Sequence, residues 1–245
     1  GCMIHILLND RKFDAPWAYG TVAQYMKKDA SAVVFASISD DEWSEDDREW
    51  EFRYRKGARG YEQIMSSFHS HHIKDENVTW INPGNIDHEQ AVRAISKADI
   101  VCLFAENPEV MMRQILQLDL VRTFVTYEGV LISDACGSAI CMEHFDSIYE
   151  WDDEACNGLG LLRGFALEAD YREDTRHLRR LIRDIEVLGK AVFAFGKGGG
   201  MIIDHGHYEL LGNAFTCSQY DLDNIYNALA DAQEREAYYG SEWEE

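Results

Sequence analysis

Proline is scarce. The 245 residues hold only Pro16, Pro83 and Pro108, and no Ser/Pro-rich linker divides the chain. One domain spanning residues 1–245 is therefore expected. Positive charge is scarce as well: 23 Lys and Arg stand against 44 Asp and Glu, a formal net charge of −21. A surface this acidic repels phosphate backbones and anionic bilayers, so neither nucleic acid nor a membrane is expected as a partner. The acidic runs at Asp40–Glu51 and Glu242–Glu245 read as solvated surface. No apolar run reaches membrane-spanning length, and the N-terminus lacks the pattern of a signal peptide. The six cysteines, at 2, 102, 136, 141, 156 and 217, form no CxxC pair. That usage suits free thiols in a reducing, cytoplasmic setting.

What the chain does have is apolar residues, 46% of the total, enough for a sizeable core. They come in short runs that alternate with helical patterns. Ile4–Leu8, Ser31–Ile38, Asn77–Pro83, Ile100–Ala105 and Val130–Ser133 read as strands. Helices are expected at Trp17–Lys28, in pieces between Asp40 and His72 with breaks near Gly57 and Gly60, at Ile86–Asp99, and from Pro108 onward. Near-continuous apolar strands alternating with helices predict an α/β fold: a three-layer α/β/α sandwich around a mostly parallel sheet. After Phe145 the pattern changes, and extra C-terminal strands are expected at Phe165–Leu167, Ala191–Phe195, Met201–Asp204 and Tyr208–Phe215. Glu173–Leu188 and Leu222–Tyr238 read as helices.

Several motifs invite a functional reading and lose it on spacing. Gly196-Lys197-Gly198-Gly199-Gly200 lacks the spacing and the terminal Ser/Thr of a phosphate loop, and reads as a hairpin turn. His69-Ser70-His71-His72 fits no structural zinc pattern and reads as exposed helix-end histidines. Asp204-His205-Gly206-His207 reads as a hairpin turn with room for a stray metal ligand, and His177 as a surface residue among arginines that could swing into the cleft. Arg176, Arg179, Arg180 and Arg183 could bind an acidic ligand, or could be charge balanced by Glu173, Asp174 and Asp184. No metal site and no cofactor is expected.

In open parallel sheets ligands bind at the carboxyl ends of strands. Two such ends stand out: Phe104-Ala105-Glu106-Asn107 after the fourth strand, and Ser133-Asp134-Ala135-Cys136-Gly137-Ser138 after the fifth. The second has the strand–small residues–helix form of a nucleophile elbow. With the order of elements and the later segment Leu159–Asp174, the chain resembles peptidase family S51, the dipeptidase E and cyanophycinase family. That fold is related to the flavodoxin-like class I glutamine amidotransferases. The resemblance covers most of the chain in layout and matches its motifs in part.

The resemblance implies a set of positions. Set on the family elbow Gly-x-Ser-Ala-Gly-Ala, Ser133 replaces the first glycine, Ala135 stands at the nucleophile, Cys136 follows it and Gly137 is retained. The family's glycine-rich oxyanion stretch after the fourth strand becomes Ala105-Glu106-Asn107. The family histidine position falls on Asp170, beside Tyr171. The acidic third member falls on Asp146 or Glu150. Alanine has no hydroxyl to activate, aspartate does not replace imidazole as base and acid near neutral pH, and Glu106 adds negative charge where an oxyanion must form. These departures together imply a non-catalytic or diverged relative that binds a small ligand or peptide in its strand-end cleft, through Glu106, Asn107, Asp134, Gly137, Ser138 and Tyr171, or a protein partner on its surface. A homodimer is in keeping with the family. Shifting the register by one residue makes Cys136 the nucleophile of a hydrolase or amidotransferase-like enzyme, although Asp134 disfavours its thiolate. A misread register would make Ser133 or Ser138 the nucleophile of a serine (Asp-X) dipeptidase.

Overall fold

A computed structural model describes residues 3–39, 47–149 and 154–242. The acidic runs at 40–46 and 243–245, Glu150 and Cys2 lie outside the described residues.

The first half of the chain runs β1 (Ile4–Leu8), α1 (Tyr19–Ala23), β2 (Ala32–Ser37), α2 (Arg48–Tyr54), α3 (Arg59–Ser70), β3 (Val78–Ile81), α4 (His88–Lys97), β4 (Ile100–Ala105), α5 (Pro108–Gln117), α6 (Val121–Thr126) and β5 (Val130–Ser133). The second half runs α7 (Ala135–Cys141), β6 (His144–Asp146), β7 (Ala155–Asn157), β8 (Phe165–Glu168), α8 (Thr175–Ile182), β9 (Ala191–Asp204), β10 (His207–Cys217) and α9 (Leu222–Glu242). The main sheet has eight strands in the order β10-β9-β1-β5-β4-β2-β3, with β8 also paired to β9. Pairing among β1 to β5 is parallel, with Ile6 opposite Ile132, Ile132 opposite Cys102, and Cys102 opposite Val34. The last two strands run antiparallel: β9 against β1, and β10 against β9.

Strands β2, β4 and β5 are buried at every residue, as strands covered on both faces must be. Alternate side chains leave the sheet on opposite sides. Ile6, Leu8, Val34, Phe104 and Ile132 pack with Tyr61, Ile64, Met65 and Phe68 of α3. Leu7, Phe35, Leu103 and Leu131 pack with α4, α5 and α7 through Ile95, Met111, Ile115 and Ile140. A third cluster joins Leu178, Leu181 and Ile185 to Val192 of β9 and Ile225 of α9. The result is the expected three-layer sandwich with added C-terminal strands.

The helices on the site side begin on side-chain caps. Asn107 accepts from Glu109 N with Pro108 at the first turn, Asp134 accepts from Gly137 N, and Asp174 accepts from His177 N. Each cap therefore fixes where a chain segment leaves a strand end.

Three expectations are corrected. The helix expected over Trp17–Lys28 is regular only from Tyr19 to Ala23. Beyond it, the amides of Gln24, Tyr25 and Met26 reach back three residues, and the Tyr25 hydroxyl donates to Asp204 at 3.0 Å. Of the two breaks, Gly57 is a real one at φ +90°, whereas Gly60 lies inside α3. Gly196–Gly200 is no turn: it is the middle of β9, where the strand leaves β8 and takes up β1. A β-carbon on Gly199 would lie 2.1 Å from the Asn213 carbonyl oxygen, so β10 approaches there only because the side chain is missing. The neighbouring register shift between Gly212 and Ala214 is a β-bulge. Glycine in a strand marks close backbone approach as readily as a turn.

Gly199→Ala is expected to destabilise the fold by about 2 kcal/mol through overpacking against β10. Urea unfolding measures this, and an unchanged midpoint refutes the close-approach account.

Candidate functional site

The carboxyl ends of β1, β4 and β5 meet around one carboxylate. Asp134 sits between β5 and α7, and only 4% of it is exposed. Its Oδ1 accepts from Gly137 N at 2.8 Å, capping α7. Its Oδ2 accepts from Ala105 N at the end of β4, at 3.0 Å, and from Arg11 Nε, also at 3.0 Å. Arg11 follows β1, donates to the Tyr54 hydroxyl at 2.6 Å and lies over the Phe104 ring at 5.5 Å. Burial pulls the Arg11 pKa down, but the Asp134 carboxylate and Tyr54 outweigh it and the guanidinium is raised further. Burial raises the Asp134 pKa, while Arg11 and the two amides oppose the rise. The pair is thus an ion pair with most of its hydrogen-bonding capacity satisfied, as a buried pair requires.

Asp170 closes the opposite wall. It is one of the few non-glycine residues with positive φ, at +51°. Asn9, directly after β1, holds it from both sides: Asp170 N donates to Asn9 Oδ1 at 2.8 Å, and Asn9 Nδ2 donates to Asp170 Oδ1 at 3.0 Å. Between these walls lies a cavity of about 830 Å³, lined by Asn9, Lys12, Arg59, Ala135, Cys136 and Asp170 among others. Lys12 and Arg59 give it cations, and Asp10, Asp14 and Glu62 give it anions.

Of the residues expected to form a site, Asp134, Ala135, Cys136 and Asp170 come together on this cavity. Glu106, Asn107, Gly137, Ser138 and Tyr171 do not line it. Glu106 is held by Arg53 and by Ser39 N, so its charge is balanced away from any oxyanion position. Asn107 is the buried cap of α5. A β-carbon on Gly137 would meet the Leu103 carbonyl oxygen at 2.0 Å, so glycine there lets α7 pack on β4. Ser138 is fully buried, its hydroxyl reaching the Ser133 carbonyl at 3.4 Å. Ser133 is also fully buried, with its hydroxyl 3.7 Å from the Cys141 sulfur. Tyr171 packs edge-on against His177 and Phe215.

The junction after β5 also differs from a strained elbow. Asp134 has φ −79° and ψ −171°, an ordinary cap, and neither Ala135 nor Cys136 has positive φ. A cap carboxylate that satisfies the helix N-terminus removes the reason for a strained turn there. Burial raises the Cys136 thiol well above its ordinary value, with Asp134, Asp170 and Glu106 adding to the rise and Arg11 opposing it. A thiol in that field is a poor nucleophile.

Two histidines are not where expected. His71 is buried, stacked on Tyr19 at 4.8 Å, with Nε2 donating to the Phe13 carbonyl at 2.9 Å. His177 is also buried, its Nδ1 2.7 Å from Asp174 Oδ1 and its Nε2 3.8 Å from Glu168. It lines a chamber of about 160 Å³ that also touches Ala135 and Cys136. Behind it Arg180 donates to Glu168 at 3.4 Å, and Arg183 grips Asp146 with two bonds of 2.9 and 3.0 Å. Burial raises the Glu168 carboxyl from 4.5 to about 8, against the pull of Arg180 and with help from Asp146 and Asp184. The residues that the sequence reading missed are Asn9, Arg11 and Glu168. Asn9-Asp10-Arg11-Lys12 is itself a strand-end segment, and that position was the available signal. Among the described residues no His, Cys, Asp and Glu group is placed to hold a metal ion, and no helix is long and apolar enough to cross a membrane.

No protein-family model matches the chain, and no curated protein sequence does. Solved structures do match. A candidate peptidase E protein from Listeria monocytogenes EGD-e superposes with a TM-score of 0.60 at 8% identity, covering 86% of this chain and 98% of that one. A peptidase from an acI-B1 Actinobacterium gives a TM-score of 0.60 at 10% identity, covering 89% and 94%. The chain thus has the fold of peptidase E proteins.

Glu168 makes stability depend on pH. The folded protein holds a proton there that the unfolded chain loses above 4.5. Its stabilising contribution is full below that pH and is lost as the pH rises to about 8. Glu168→Gln is expected to gain stability relative to the parent protein across that interval. Urea unfolding over a pH series tests it, and a difference that stays flat with pH rules it out.

Proposed function

We propose that this chain is a non-catalytic member of the peptidase E fold that holds a small polar ligand or short peptide in the strand-end cleft. The observation that carries the reading is the place of the Asp134 carboxylate. Acyl transfer needs open N–H donors aimed at a developing negative charge. Here the Ala105 amide, first in the stretch that resembles the family's oxyanion loop, already donates to a carboxylate at 3.0 Å. An oxyanion formed nearby would meet a negative charge in place of a free donor.

The remaining groups favour the same reading. Ala135 offers no nucleophile, and the position resembling the family histidine is an aspartate locked by Asn9. The cavity remains, with both signs of charge on its walls, which suits a zwitterionic ligand better than a purely apolar one.

The alternative is an enzyme that uses Cys136, the one thiol on the cavity wall. Burial and the surrounding carboxylates oppose its ionisation. Iodoacetamide at neutral pH is expected to label Cys136 no faster than an unactivated thiol, as followed by peptide mass spectrometry.

Thermal shift and hydrolysis, run in parallel on one panel of amino acids and dipeptides, test the main reading. Stabilisation by at least one compound without turnover is the expected result, and Ala135→Ser alone is expected to create no peptidase, since the Ala105 amide stays closed by Asp134. Turnover lost on Cys136→Ala, or on Ser138→Ala, would replace the proposal with a cysteine or serine hydrolase respectively.

A further inference from the structure

The chain is strongly acidic, yet one cavity of about 1060 Å³ is lined by Arg172, Arg176, Arg179, Arg180 and Arg183. The last four are spaced i, i+3, i+4 and i+7, so they share one face of α8 and the π-helical turn Arg183–Val187 that continues it. Like charges at these spacings destabilise a helix unless something opposes them.

Internal carboxylates oppose only part of this charge. Arg183 is bound to Asp146 and Asp184, and Arg180 Nε lies 3.7 Å from Asp146. Arg176 reaches the Ile148 carbonyl at 3.5 Å. The side chains of Arg172 and Arg179, by contrast, make no hydrogen bond or ion pair among the described residues, although the Arg172 charge helps hold the Asp174 carboxyl below its usual range. The carboxylates on the cavity wall are already committed. Asp146 is taken by Arg183, Asp174 by His177 at 2.7 Å, Glu236 by the Thr175 hydroxyl at 2.7 Å, and Asp170 by Asn9.

We propose that Arg172 and Arg179 bind the phosphate group of a small soluble ligand in this cavity. Two guanidiniums arrive from different segments, the loop before α8 and the helix itself. One carboxylate is satisfied by a single guanidinium fork, whereas a phosphate has enough acceptor oxygens and charge to engage two. The cavity is larger than a bare ion, which leaves room for the organic part of a phosphate ester. A polymeric phosphate backbone would extend onto the acidic surface and be repelled. Among the described residues the two cavities share only Asp170, and the inference does not rest on the function proposed above.

Pyrophosphate titrated into the full chain by calorimetry at low salt tests the site. Saturable one-to-one binding is expected, weakened at least about tenfold by Arg172→Ala and by Arg179→Ala, the loss of one charge-assisted contact each. Arg179→Lys keeps the charge but loses the fork and is expected to fall between. Both arginines are exposed, so melting temperatures without ligand should not move. Absence of binding, or binding indifferent to the double alanine variant, overturns the proposal. Malonate binding as tightly as pyrophosphate overturns the choice of phosphate. Arginine-dependent binding to phosphatidylglycerol vesicles with no binding of pyrophosphate overturns the choice of a soluble ligand.

Discussion

The site side of this molecule depends on the carboxylate of Asp134. It joins three strand ends: Ala105 at the end of β4, its own position after β5, and Arg11 from the segment after β1. It also caps α7 through Gly137 N. A buried charge with one fewer partner costs several kcal/mol, so these contacts stand or fall together. The ordinary backbone at 134–136 and the closed Ala105 amide follow from placing an anion at this point, and the same anion adds to the burial that raises the Cys136 thiol.

Around that anion the chain is divided electrically. The strand-end cleft carries Asp10, Asp14, Glu62 and Asp170 against Lys12 and Arg59, whereas the adjoining cavity along α8 is rich in arginine. Asp170 borders both, held in the left-handed region by Asn9. Between the two lies a small chamber whose walls include Glu168, His177 and Arg180. Burial there keeps a proton on Glu168 that a surface glutamate would release. Net charge alone conveys none of this, since a chain of −21 still places Arg172, Arg176, Arg179, Arg180 and Arg183 on one cavity.

The fold was largely legible in the sequence. Ile100–Ala105 and Val130–Ser133 were readable to the residue because fully buried parallel strands are unbroken apolar runs between breakers. Pro108 marked the start of α5 for an equally local reason. Gly196–Gly200 misled because glycine serves turns and close strand contacts alike, and only the position of Asn213 distinguishes them. Helical spacing at Trp17–Lys28 overstated a segment that tightens to three-residue backbone bonds after Ala23, where Tyr25 is tied to distant Asp204. Asp134, Ala135, Cys136 and Asp170, read from strand ends and resemblance, come to line one cavity. Asn9 and Arg11 were missed because attention fell on the fourth and fifth strands, while the first shares the same edge.

By itself the sequence determined the layers, the buried parallel strands and the absence of a hydroxyl at 135, since periodicity and residue chemistry are local. It also set the charge imbalance. Only the tertiary structure decided which charges meet. Asp134 could have been a surface cap, and becomes a buried one because Arg11 and Ala105, distant in sequence, converge on it. His177 could have faced solvent, and is buried because α8 packs its histidine toward Glu168 and leaves Arg179 on the open side. Electrostatic partnership depends on distances between segments far apart in the chain, and those distances exist only once the sheet has assembled.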